Sequence, residues 1–178
     1  MTPTLFTVFP LPESEGFSEL WLLGTNHMIE TGSLTAILNK PYTVYLGVSN
    51  HMNELKYYTV SVKLRNHSQA LEEQASEFPS QLESVYEYPL FLMNNKTWEE
   101  PFVFSFKTVS FEQNMSRISM LSINDKDVRV DKILTRDEVG GRFRCQLLFE
   151  LWIYNVKISD FQYHNRSVWF WVNLVESS

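Results

Sequence analysis

Residues 41–66, PYTVYLGVSNHMNELKYYTVSVKLRN, constrain the fold more than any other stretch of this chain. Tyr42, Val44, Leu46 and Val48 fall on one face of an extended segment, and Thr43, Tyr45 and Gly47 on the other. After a polar break over 49–54, Tyr58, Val60, Val62 and Leu64 alternate with Tyr57, Thr59, Ser61 and Lys63. A period of two carried by β-branched and aromatic residues marks half-buried strands, because a helix would bring every third or fourth residue to one face. The break has hairpin-loop length, so the two segments are expected to form an antiparallel pair.

The rest of the chain repeats the pattern. Strands are expected over 16–24, 34–38, 85–93, 101–109, 115–123, 128–133, 143–154 and 167–175, with turn residues between them. Phe102, Phe104 and Phe106 form one apolar face, as do Cys145, Leu147, Phe149 and Leu151. Asn124-Asp125-Lys126-Asp127 reads as a tight hairpin turn. Residues 67–84 are polar, acidic and broken by Pro79, and read as a long surface loop that can hold a short helix over 68–76. Nine or ten strands without βαβ alternation predict an all-β fold, an antiparallel β-sandwich that is immunoglobulin-like in the broad sense. In it the Phe102/Phe104/Phe106 face packs against the Val44/Leu46 and Leu147/Phe149 faces.

Length and charge narrow the class. A chain of 178 residues fits one domain, expected over 16–178, preceded by a leader over 1–15 that holds Pro3, Pro10 and Pro12. A net charge of −6 argues against a fold-wide grip on nucleic acid. The one cysteine, Cys145, excludes an internal disulfide and is expected to be a buried, inert thiol. No apolar run approaches the ~20 residues of a membrane-spanning helix.

Few residues point to chemistry. His27, His51, His67 and His164 are scattered, with no metal-ligand spacing between them. The oxygens of 124–127 with Asp131 suggest calcium, but the order of an EF-hand loop is missing and a plain turn is preferred. No Gly-x-Ser-x-Gly elbow or Gly-rich phosphate loop occurs. The acidic pairs Glu72/Glu73, Glu99/Glu100 and Asp137/Glu138 are expected in solvated loops. The expectation is therefore no enzyme, no metal and no cofactor.

Two features favour binding. Trp152, Tyr154, Trp169 and Trp171 lie on the minority faces of the last two strands, and pairing of those strands gathers them into an aromatic face. Left exposed, that face suits a sugar or a protein partner. Covered by the leader or by 67–84, which is the preferred reading, it becomes a second layer of core. Four Asn-x-Ser/Thr sequons, at Asn66, Asn95, Asn114 and Asn165, fall at expected strand ends or loops, where a glycan is tolerated.

Three stretches carry a family resemblance: GFSELWLLG at 16–24, YTVYLGVSNH at 42–51, and FELWIYN at 149–155 with FQYHNR at 161–166. In combination they resemble the C-terminal extracytoplasmic domain of an archaeal membrane-protein family, domain of unknown function 1616. The resemblance implies a β-rich module tethered to a membrane segment, with residues 1–15 as the membrane-proximal linker, and it carries no catalytic residues. Asn50-His51 and Tyr163-His164-Asn165-Arg166 either close loops through side-chain hydrogen bonds or line a site. The expected function is that of a non-enzymatic, extracytoplasmic interaction module contacting envelope proteins or glycans. The alternative is a carbohydrate-binding module that uses the aromatic face.

Overall fold

The computed structural model describes residues 16–26, 33–69, 78–137 and 141–175. The leader over 1–15, His27 and the Glu72/Glu73 pair lie outside them, as does most of the short helix expected over 68–76; residues 67–69 are helical.

Ten strands follow in order: β1 (Phe17–Leu23), β2 (Ser33–Ile37), β3 (Tyr42–His51), β4 (Lys56–Asn66) and β5 (Tyr86–Leu92). Then come β6 (Lys96–Phe111), β7 (Met115–Ile123), β8 (Lys126–Thr135), β9 (Phe143–Asn155) and β10 (Asp160–Val175). They form two five-stranded sheets, ordered β1-β3-β6-β7-β8 and β2-β10-β9-β4-β5. The chain is an all-β sandwich. All strand pairs are antiparallel except β2–β10, which is parallel.

Here the expected hairpin of 41–66 is corrected. Both strands form and both bury the expected faces, but they do not pair: β3 lies between β1 and β6, and β4 between β9 and β5 in the opposite sheet. Asn50 makes the crossing. Its Nδ2 donates to the carbonyls of Glu54 and Leu92 at 2.9 and 2.7 Å, and its Oδ1 accepts from Met52 N and the Tyr58 hydroxyl. One buried amide thus satisfies the backbone groups released where the chain leaves one sheet for the other. Alternation reports which face is buried but not which strand lies alongside.

Other boundaries differ as well, and β10 begins at Asp160 rather than at 167. β6 begins at Lys96, so Glu99 and Glu100 stand on opposite faces of a strand rather than in a loop. Pro101 is tolerated there because the β7 ladder starts only at Phe104, leaving one edge of that stretch unpaired. The β7–β8 turn is two residues long, with Asn124 and Asp125 both at positive φ, and Lys126 already pairs with Ile123.

One core fills the space between the sheets. Phe102 meets Phe149 edge-on at 5.0 Å and Phe104 lies 5.7 Å from Phe170, which joins β6 to β9 and β10 across the sandwich. Val44 and Leu46 are not across from Phe102, as expected, but beside it in the same sheet. The outer face of the second sheet is crossed at its centre by 78–84. Lys63 Nζ donates to Ser80 O at 2.6 Å, and Ser80 N to Glu150 Oε1 at 2.7 Å.

Candidate functional site: an apolar end of the second sheet

The β9–β10 register decides the fate of the four aromatic residues. Trp152 is opposite Tyr163 and Tyr154 opposite Phe161, whereas Trp169 is opposite Leu148 and Trp171 opposite Gln146. The two pairs share a face but lie four residues apart along β9, roughly 13 Å at ~3.3 Å per residue. They do not make one platform. Between them stand Glu150 and the segment 78–84 that covers it. Trp171 is held between His67, at 5.7 Å, and the Arg144 guanidinium, at 4.8 Å; Trp169 remains half exposed.

Tyr154 instead belongs to a cluster at the end of the sheet where β4 begins and β5 and β9 end. Tyr57 stacks on Phe91 at 4.2 Å with rings nearly parallel, and Phe161 meets both Tyr57 and Tyr154 edge-on. Register places Leu55 beyond Tyr57 and Met93 beyond Phe91, and the β9–β10 turn adds Val156 and Ile158. Val156 is 79% exposed, Phe91 68%, Met93 66%, Ile158 59% and Leu55 58%. Scattered single exposures need no explanation, but five at one end, joined by a ring cluster, form a contiguous apolar surface.

The turn itself does not need these residues. Asn155 Oδ1 accepts from Lys157 N at 2.9 Å, Asn155 Nδ2 bonds Gln162 Oε1, and Ile158 N donates to Asn155 O at 3.3 Å, so the turn is shaped without any apolar side chain. Apolar Val156 and Ile158 at a turn tip were the sequence signal for this surface. The partners Phe91 and Tyr57 carried none, since only the register of β4 against β5 brings them together.

The polar candidates resolve mostly into structure. His51 packs against Phe17 at 4.6 Å, with Nε2 3.1 Å from Ser49 Oγ and Nδ1 3.1 Å from Asn95 Oδ1. Ser49 Oγ donates to Glu19 at 2.5 Å, so its one proton is committed to a carboxylate rather than to the imidazole. His164 lies on the other side of β1, with Nε2 3.0 Å from Ser18 Oγ, and the two histidines do not converge. Burial, with Arg166 and Lys56 nearby, lowers the His164 pKa from its ordinary value. At the 124–127 turn, weighed for calcium but expected to be a plain turn, Asn124 Oδ1 accepts from Val103 N, and Asp131 is held by Arg117. Among the described residues no group of three or more His, Cys, Asp or Glu can hold a metal. Cys145 is fully buried, which pushes its thiol up to about 12.

Of the sequon asparagines, Asn95 and Asn114 are exposed in turns and Asn165 is exposed in a bulge of β10 rather than in a loop. Asn66 ends β4 half-buried, its Oδ1 accepting from Ser68 Oγ and Gln69 N.

No curated relative matches the chain. Among solved structures it is similar to a β-glucosidase from Listeria innocua in complex with glucose, at 11% identity and a TM-score of 0.35. That match covers 67% of this chain and 16% of the enzyme. The family model described as domain of unknown function (DUF1616) matches residues 11–131, more than half of the sequence, yet the sandwich is completed only by β9 and β10 beyond that match. The chain belongs to the DUF1616 family.

Proposed function

We propose that this domain is a non-enzymatic interaction module that engages a protein partner through the apolar end of the second sheet. The observation that carries the reading is the continuous exposed surface of Leu55, Phe91, Met93, Val156 and Ile158 around the Tyr57–Phe91 stack. Such a surface is held in water at a cost that burial against a partner removes, at roughly 25 cal/mol per Å². Its rings favour protein over sugar. Tyr57 and Phe91 spend faces on each other, and Phe161 is tilted 64° to Tyr57 and 74° to Tyr154, so no flat open row is presented to a pyranose. Exposure of Asn95, Asn114 and Asn165 supports an extracytoplasmic setting, where those sequons can be used.

The test is site-specific photo-crosslinking in cells of the source organism, with the probe at Val156 and a control at Arg129 on β8. A protein adduct at position 156 that disappears with Phe91→Asp is the expected result. No adduct above the position-129 control, together with binding on a glycan array that Phe91→Asp abolishes, would overturn it in favour of carbohydrate recognition through the same surface.

A further inference from the structure

Among the described residues the sandwich has four edge strands, and three carry protection against strand addition. β8 is loaded with charge and broken by a register shift against β7, with Asp131 at positive φ. β5 contains Pro89, and β2 is only five residues long. Charge, bulges, proline and shortness are the devices by which sheets keep edges from pairing. β1 has none of them: it is seven residues, FSELWLL, with Glu19 as its one charge. That carboxylate is turned away, onto Ser49 and His51.

Which backbone groups of β1 are free follows from two hydrogen bonds. Ser18 pairs with Asn50, but Asn50 O accepts from Asn95 N, on the β6 side. Ser18 O in turn accepts from Arg166 Nε at 3.3 Å. The Ser18/Asn50 pair is therefore a non-hydrogen-bonded one, and Ser18, Leu20 and Leu22 direct their amides and carbonyls away from β3. Among the described residues no strand forms a backbone ladder on that side, although the β10 bulge reaches Ser18. Instead a groove of about 640 Å³ runs along it, lined by Phe17 to Trp21 and by Arg166.

Arg166 reaches the groove because β10 is bulged. The register breaks between Tyr163 and Arg166, with Asn165 at φ 52°, and the bulge aims the guanidinium at β1. It bonds only carbonyls, those of Ser18 and Asn165, and no carboxylate faces it among the described residues. His164 from the same bulge holds the Ser18 hydroxyl.

We infer that the open edge of β1 is a strand-addition site for an extended peptide segment of a partner protein, whose carboxylate, from an acidic side chain or a free C-terminus, pairs with Arg166. The peptide backbone completes the ladder through the Ser18 amide and the amides and carbonyls of Leu20 and Leu22, the Ser18 carbonyl being held by Arg166, which gives affinity with little sequence demand. Arg166 sets the register, since a guanidinium takes a carboxylate by two parallel hydrogen bonds. This site is separate from the apolar end of the second sheet and stands without it.

The probe is an array of random octapeptides, each printed with a free C-terminal carboxylate and as the C-terminal amide. Binders are expected to carry Asp, Glu or the free carboxylate, and to weaken about tenfold or more with Arg166→Gln but not with Arg129→Gln. Hydrogen exchange on the unaltered protein with a selected peptide is expected to slow at Ser18, Leu20 and Leu22. That measurement needs no variant, so a folding defect in Arg166→Gln cannot hide the answer. No enriched peptide, equal binding of amide and acidic sequences, or slowed exchange at β8 instead would overturn the inference. So would a dimer in sedimentation whose β1 amides are already protected, because the edge would then belong to a second copy.

Discussion

Lys63 Nζ and Glu150 Oε2 stand 2.8 Å apart on the outer face of the second sheet, with side chains only 5% and 2% exposed. Neither charge reaches water, so the pair is held by its own attraction and by the backbone of Ser80, which bonds both partners. The Lys63 ammonium also lies 5.7 Å from the centre of the Trp152 ring. This pair pins 78–84 across the face that the sequence suggested as an aromatic platform.

Breaking the pair is predicted to cost more than replacing it. Lys63→Met leaves the Glu150 carboxylate buried without its cation, and a loss of about 3–5 kcal/mol is expected in urea denaturation. The double variant Lys63→Met/Glu150→Leu removes both charges and should recover much of that loss. A double variant no better than the single one would show that the pair does not act as a unit.

Asn50→Ala is predicted to be strongly destabilising although it removes no charge. Asn50→Ala strips partners from two carbonyls, one amide and the Tyr58 hydroxyl at the sheet-to-sheet crossing. A loss of about 3 kcal/mol is expected, at the upper end for buried groups left unsatisfied. Glu54→Ala, at an exposed position of the same turn, is the control and should cost far less, since the carbonyl that Asn50 bonds is kept; equal losses would refute the special role of Asn50.

Gly47 is predicted to tolerate no side chain. Trp21 lies flat across it, and an added Cβ would come within 2.1 Å of the indole, whose Nε1 donates to Glu99 at 2.9 Å. Gly47→Ala should push the ring off and lower stability by about 1–3 kcal/mol, read together with a change in Trp fluorescence. The double variant Trp21→Ala/Gly47→Ala should lose no more than Trp21→Ala alone.

How much of this was legible depends on what each signal measures. Alternation placed the buried faces of β3, β4, β6 and β9 correctly, because burial on one face of a strand leaves a period of two in the residues themselves. It paired β3 with β4 wrongly, since a six-residue break serves a hairpin and a crossing between sheets equally well, and the deciding contact, Asn50 to Leu92, spans 42 residues. The aromatic face failed for a related reason: sequence shows that Trp152 and Trp169 share a face, but only register shows how far apart they stand. The resemblance singled out His164, Asn165 and Arg166, and their bulge is what turns two side chains onto Ser18. No residue-level pattern announces a bulge within a strand.

Cys145 is predicted to be unreactive in the folded protein. Burial alone pushes its thiol up to about 12, so the nucleophilic thiolate is scarce at ordinary pH and the sulfur is out of reach as well. Iodoacetamide at pH 8 should leave the native chain unmodified by mass, with full labelling once denaturant is added. Rapid labelling of the native chain would mean that β9 opens readily.

His164 is predicted to make stability fall as pH drops below about 6.5. Desolvation is the first cause of its lowered pKa, followed by the positive charges of Arg166 and Lys56, and Lys56 is itself paired with Glu54. The folded state therefore prefers the neutral ring, while the unfolded chain takes up a proton at the ordinary value. Between that value and the lower folded one, unfolding gains a proton, so stability is fully present above about pH 6.5 and declines on acidification until the folded ring titrates too. The contribution is read as the difference between the unaltered chain and His164→Gln in denaturant midpoint across pH 7.5 to 5. A glutamine can keep the bond to Ser18 without titrating, so its profile should be flatter over that range. Parallel profiles would assign the pH dependence to other groups and leave His164 with a packing role alone.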